Sequence, residues 1–211
     1  MKSVLIGAGT YGEVYFHYLK YDGNINIVGF LDDDESKSTN LEVPIIAKMR
    51  ELEKLSSLNV SNVYCPLGDN KLRVELLKKA LSIGLEVPNF LHSSSIIPNN
   101  CAMGKGVYVL PGSIIMPYVT IKNFCMISMG VKIAHHTVLD DGVFISTGAN
   151  VGASIHINEN AFLGIGCTVM TGVSSIGKNA IIGAGAVVIK DVPDNAVVAG
   201  VPARVIKFSN I

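Results

Sequence analysis

The chain has 211 residues, and 17 Lys plus Arg balance 17 Asp plus Glu. One or two domains fit that length, and zero net charge argues against nucleic acid or an anionic membrane surface as a partner. An apolar fraction of 49 % with only 16 % charged residues excludes disorder, no run of about 18 apolar residues is there to span a bilayer, and four cysteines without close spacing point to reduced thiols in a cytoplasmic protein.

The first half reads as α/β. Lys2 to Ile6 is an apolar run that stops at Gly7, too short and too soon broken by glycine for a signal peptide. A helix is expected from about Gly12 to Tyr21. A second strand, Asn26 to Leu31, ends in Asp32-Asp33-Asp34, and a third, Val60 to Leu67, ends at Gly68-Asp69-Asn70. Asp69 or Asn70 caps a helix over Lys71 to Ile83, with Leu72, Leu76, Leu77 and Ala80 on its apolar face. Gly84 stands where a helix end needs a left-handed residue. A last strand is expected over Leu85 to Leu91. Strands alternating with helices predict a parallel sheet over residues 1–92, a half-sized doubly wound domain.

Gly7-Ala8-Gly9-Thr10-Tyr11-Gly12 is a full GxGxxG between a strand and a helix, and Asp32 follows Gly12 by 20 residues. Glycines there let backbone N–H groups approach phosphate at a helix N-terminus, and an acidic residue at that distance meets a ribose hydroxyl. A tight strand-to-helix turn that binds nothing would need the same glycines. The domain is too small to enclose a whole dinucleotide, which favours a single nucleotide over NAD.

The second half, 93–211, is a repeat. Every sixth residue from Ile97 through Val169 is aliphatic or Met, and after a slip of one residue at Ser174-Ser175 the register resumes at Ile176, Ile182 and Val188. The residue four positions later is small or β-branched throughout. That hexapeptide pattern is the signature of a β-helix. Three hexads close a coil, so residues 18 apart stack about 4.8 Å apart, giving roughly five coils in all. Cys101, Cys125 and Cys167 take inward positions and are expected to be core filler rather than nucleophiles. His156 is expected to be a plain surface residue.

The hexads, together with the closing segment IGAGAVVIKDVPDNAVVAGVPARVIK over 182–207, resemble the left-handed β-helix acyltransferases that use coenzyme A. The left hand comes from that resemblance and runs against the usual crossover preference. Gly7 to Gly12, Phe30-Leu31-Asp32-Asp33, Leu67-Gly68-Asp69-Asn70 and Asn89-Phe90-Leu91-His92 narrow it to sialic-acid O-acetyltransferases and bacillosamine-type sugar N-acetyltransferases. The resemblance covers essentially the whole chain. It implies acetyl-CoA as co-substrate, no metal, a nucleotide-linked sugar as acceptor, and a homotrimer with the coenzyme in the groove between neighbouring solenoids.

The resemblance also assigns residues. Acetyl transfer from a thioester needs a base and oxyanion donors, and His135 matches the family's base. Members carry Asp or Glu after it, where this chain has His136, a weaker means of holding the tautomer. Ala153, one coil on, matches a position whose backbone amide lies near the thioester carbonyl. Phe144 replaces a His found near the thioester. Ile165 and Gly166 match main chain along the pantetheine arm. Arg204 and Lys207 either meet the coenzyme's 3′-phosphate or are simply solvated. Gly9, Thr10 and Tyr11 match the loop beside the acceptor's nucleotide or pyrophosphate, Tyr11 replacing a frequent His. Asp32 and Asp33 match its uracil- and ribose-side carboxylates, and Gly68 its closing turn.

The expected reaction is direct acetyl transfer to the amino group of a nucleotide-linked amino sugar. O-acetylation of a sialic-acid-type sugar uses the same base. A non-catalytic nucleotide-sugar binding protein, a zinc hydratase like the γ-class carbonic anhydrases and an oxidoreductase are the remaining alternatives. The hydratase is disfavoured because adjacent turn histidines cannot easily share one tetrahedral ion.

Overall fold

The computed structural model describes residues 1–34, 36–37 and 42–209. Its contacts divide the chain into two compact units, Met1–Phe90 and Leu91–Ile211.

The first unit is a parallel sheet flanked by helices. Its strands are β1 (Lys2–Ile6), β2 (Ile27–Leu31), β3 (Ile45–Ala47) and β4 (Val60–Tyr64), in the order β3-β2-β1-β4. Central β1 buries Val4, Leu5 and Ile6 completely, as a parallel strand covered on both faces must. Helix α1 (Thr10–His17) starts two residues earlier than the sequence pattern places it and widens into a π-helical turn over Tyr18–Asp22. Helix α2 (Asn70–Ser82) is capped by Asp69, whose carboxylate accepts from the Leu72 amide at 3.0 Å, and Gly84 is left-handed at φ +86.

Three expectations need correction. The strand from Val60 stops at Tyr64, because Pro66 has no N–H to continue a ladder. The segment from Leu85 joins β4 only at Glu86, whose N–H donates to Ser61 and whose carbonyl accepts from Val63, each at 2.9 Å; Pro88 prevents more, and a strand re-forms only over Phe90–Leu91. On α2 the buried position next to Leu76 and Leu77 is filled by Arg73, fully inaccessible, while Leu72 is half-buried. The Arg73 guanidinium donates to the Leu67 carbonyl at 2.7 Å and so ties α2 to the turn at Gly68. Strand β3 has no counterpart in the sequence pattern, since three residues are too few for a period.

The second unit is a left-handed parallel β-helix. Two-residue strands stack into three sheets, with Met126 paired to Phe144, Lys132 to Asn150 and Val138 to His156, each 18 residues apart. The inward aliphatics Ile121, Ile127, Ile133, Leu139 and Ile145 are all buried, as are the small residues between them. The slip is real: beyond it the pairs are His156–Ser175 and Thr168–Val187, 19 residues apart. Asp191 absorbs the extra residue, its carboxylate accepting from the Ser174 and Ser175 amides at 2.6 and 3.2 Å. The strand Arg204–Phe208 pairs antiparallel with Ala196–Ala199 and closes the sheet.

Each corner of the coil turns on one left-handed residue. Most are Gly, as at Gly106, Gly130, Gly142 and Gly148, or Asn, as at Asn160 and Asn179. Those residues tolerate positive φ, whereas other side chains meet a cost of about 1–2 kcal/mol. The exceptions are Phe124, buried at φ 61, and Tyr118, His136 and Ser154, which stack at one corner at φ 64, 60 and 59.

Candidate active site

That corner carries the histidines. Lys132–Ile133 is a strand, and the chain then turns through Ala134, His135 and His136 before Val138–Leu139. The Ser154 amide donates to the His135 carbonyl at 2.9 Å, so the next coil fixes the backbone of His135. The two imidazoles stand nearly perpendicular, 87° between planes, with Nδ1 of His135 and Nδ1 of His136 at 3.0 Å. One ring must donate N–H and the other accept. When His135 donates, its Nε2 keeps a lone pair and is a competent base.

His135 lines a groove of about 560 Å³ with Met116, Ala134, Ala153, Ser154 and Thr171. A second cleft of about 370 Å³ shares Met116, Ala134 and Thr171 with it and adds apolar Ile114, Val151 and Met170. The groove at His135 thus continues into an apolar channel. The Ala153 amide faces the Thr171 hydroxyl at 3.3 Å, a long and weak bond that leaves the N–H available to a better acceptor. Thr171 is an addition to the residues that the sequence singles out, although its signal was there: 135, 153 and 171 are spaced by 18.

The other residues matched to the coenzyme lie elsewhere on the protomer. Phe144 is nine residues, half a coil, beyond His135; its strand belongs to a different sheet, and its buried ring packs edge-on against Phe162 at 5.2 Å. Ile165, 60 % exposed, and Gly166, at φ +63, form the turn after Phe162–Leu163. Arg204 and Lys207 are exposed on the last strand, where Arg204 borders a small cleft with Val188, Lys190 and Asp191. The structure therefore brings His135, His136 and Ala153 together and leaves the remainder on other faces.

The thiols are not poised for attack. Burial pushes Cys65 and Cys167 up to about 12 and raises Cys101, so negligible thiolate exists at neutral pH. Among the described residues no three His, Cys, Asp or Glu side chains form a metal-binding group, and no helix is long and apolar enough to cross a membrane.

His156 is at the surface, as expected, but it is paired rather than simply solvated. Its Nε2 meets the buried Asp140 carboxylate at 2.9 Å, and Lys122 reaches the other oxygen at 2.6 Å. The partner lies one coil back but two residues off the 18-residue register, which a stacking rule does not find. Burial alone would raise the Asp140 carboxyl; Lys122 and His156 outweigh it and hold it below the ordinary range. A depressed carboxyl stabilises the fold above its unfolded value and loses that contribution as pH falls through the folded one. Asp140→Asn is expected to cost about 1–2 kcal/mol at neutral pH. In urea titrations the difference from wild type should shrink between about pH 4 and pH 2.

In the first unit the glycine loop separates into two kinds of glycine. Gly7 needs its φ of +98, and a Cβ on Gly12 would lie 1.9 Å from the Gly7 carbonyl oxygen. Both are required by the turn itself. Gly9, at the N-cap of α1, and Gly68 would place a Cβ in open space, so nothing in the protein demands glycine there. Thr10 begins α1, and the Tyr11 ring packs edge-on against Tyr15 at 5.2 Å. Asp32 is buried, and its oxygens accept from the Ala8 amide at 2.7 Å, the Asp34 amide at 2.9 Å and Lys37 at 3.0 Å. Burial tends to raise its carboxyl, but these donors hold it lowered. Asp32 thus clamps the glycine loop. Asp33 is exposed, with one oxygen accepting from the Met49 amide at 3.1 Å.

A left-handed β-helix with a histidine, a weakly held amide and an apolar channel at one corner defines an acyltransferase of the hexapeptide-repeat class. Residues 2–80 match the model of the PglD N-terminal domain family. A galactoside O-acetyltransferase of Lactococcus lactis is 35 % identical over 160 residues, 72 % of either chain. The crystal structure of PerB from Caulobacter crescentus, in complex with CoA and GDP-perosamine, superposes with a TM-score of 0.91 at 29 % identity over 98 % of both chains. The acetyltransferase domain of PglB from Neisseria gonorrhoeae, in complex with acetyl coenzyme A, gives 0.88 at 28 % identity over 97 % of this chain and 98 % of that one. The chain belongs to the hexapeptide-repeat sugar acetyltransferases, and it is an enzyme of that kind.

Proposed function

We propose that the protein transfers the acetyl group of acetyl-CoA to the amino group of a nucleotide-linked amino sugar. The observation that carries this reading is the groove holding His135, the Ala153 amide and Thr171, in a chain that aligns end to end with an enzyme crystallised with CoA and GDP-perosamine. Nε2 of His135 takes the proton as the amine attacks the thioester carbonyl. The carbonyl oxygen gathers charge beside the Ala153 N–H. The C–N bond forms, the C–S bond breaks, and the thiolate leaves with the proton that His135 returns. Attack is direct, since Cys65, Cys125 and Cys167 are buried and Cys101 is partly buried with its thiol raised. Gly9, Thr10, Tyr11, Asp33 and Gly68 hold the nucleotide of the acceptor, with Asp32 keeping their loop in shape.

Phe144, Ile165, Gly166, Arg204 and Lys207 contact the coenzyme from a neighbouring copy, which explains why they lie on other faces than His135. The active form is a cytoplasmic homotrimer, and light scattering at micromolar concentration should read three copies. O-transfer is the second reading, favoured by the 35 % identity to a galactoside O-acetyltransferase. The deciding experiment is thiol release from acetyl-CoA against GDP-, UDP- and dTDP-linked amino sugars and their hydroxyl counterparts. Release with amines only supports N-transfer; release with hydroxyls only, or with no acceptor in the panel, overturns it.

A further inference from the structure

Tyr118 lies 18 residues before His136 and stacks on it, ring centroids 4.9 Å apart and planes tilted by 34°. It is 59 % exposed, so it fills no core. It also occupies a left-handed turn position, φ 64, where the other corners mostly use Gly or Asn. An exposed aromatic ring in a disfavoured backbone conformation has no packing reason within its own protomer, and strain of this kind collects at functional positions. His136 repeats the same conflict one coil on, at φ 60.

We propose that Tyr118 is a positioning residue for His135, acting through the ring of His136. This rests on the reading of His135 as the base. An exposed imidazole held by one hydrogen bond turns freely about its last side-chain torsion. The Tyr118 ring limits His136 to one plane and so aims its Nδ1 at Nδ1 of His135, 3.0 Å away. His135 then carries its proton on Nδ1 and offers Nε2 to the amine. The Tyr118–His136 stack supplies what a carboxylate after the histidine would otherwise supply.

The test compares Tyr118→Phe, Tyr118→Ala and Tyr118→Gly in the full chain. Tyr118→Ala should lower kcat about tenfold with KM for acetyl-CoA nearly unchanged. Tyr118→Phe keeps the ring and should retain wild-type kcat. Tyr118→Gly relieves the turn, so its Tm should equal or exceed wild type while its kcat falls as in Tyr118→Ala; that separates positioning from folding. Nitrogen NMR of histidine-labelled protein, with the His135 signal assigned by its loss in His135→Ala, should show the Nδ1–H tautomer in wild type and Tyr118→Phe and a mixture in Tyr118→Ala. The NMR arm needs no acceptor, so it decides the proposal even where turnover is lacking. An unchanged His135 tautomer in Tyr118→Ala, or Tyr118→Phe as impaired as Tyr118→Ala, overturns it.

Discussion

Replacing His135 with alanine is expected to remove nearly all turnover, by about 10²- to 10⁴-fold in kcat, equivalent to about 3–5 kcal/mol of barrier. Coenzyme affinity, measured by calorimetry, should stay within a few-fold, because the amide of Ala153 and the apolar channel at Met116 and Met170 remain. The fold should be intact, since His135 is exposed and its coil is held by backbone hydrogen bonds. His136→Ala should lose only about tenfold, as an orienting neighbour rather than the base. His136→Glu is the sharper arm. A carboxylate would raise the pKa of His135 and favour its cation, so activity should hold or rise while the rising limb of the pH–rate profile moves to higher pH. Equal loss in His136→Ala and His135→Ala would mean that the roles are shared or reversed.

The second large effect is expected in the glycine loop. Gly12→Ala drives a Cβ to within 1.9 Å of the Gly7 carbonyl oxygen, and backbone cannot give way as a flexible side chain does. About 2–4 kcal/mol of stability should be lost, read as a fall in Tm of the whole chain. Gly9→Ala is the counterpart. Its Cβ meets nothing, and its backbone, φ −77 and ψ 177, suits alanine. Stability should barely change, because the reduced freedom of the unfolded chain and the poorer helix cap offset each other. Nucleotide affinity should nevertheless drop about tenfold or more, as the phosphate can no longer approach the amides at the start of α1. Normal nucleotide binding by Gly9→Ala would remove the loop from the acceptor site.

The two halves of the chain differ in how much of them is legible in the sequence. The solenoid is legible down to the single-residue slip at Ser174-Ser175, because every coil solves the same packing problem and writes the same apolar residue every six positions. The first unit is legible where strands are long and apolar, as in β1, and illegible at β3, whose three residues carry no period. Arg73 escapes the pattern for a related reason: its position on α2 faces the core, but the residue type argues for solvent, and its bond to the Leu67 carbonyl compensates its burial.

The sequence by itself determined which residues share a corner of the coil. The hexapeptide pattern signals a β-helix with three hexads to a coil, and that spacing puts His135, Ala153 and Thr171 in one column. Tertiary structure alone decided what those side chains touch. The pairing of His136 with Tyr118, of His156 with Asp140, and of Asp32 with Ala8 depends on rotamers and on approach between neighbouring segments. A periodic pattern assigns a residue to a face, because the backbone repeats. It leaves open the torsions beyond Cβ, which are set by contacts that do not repeat.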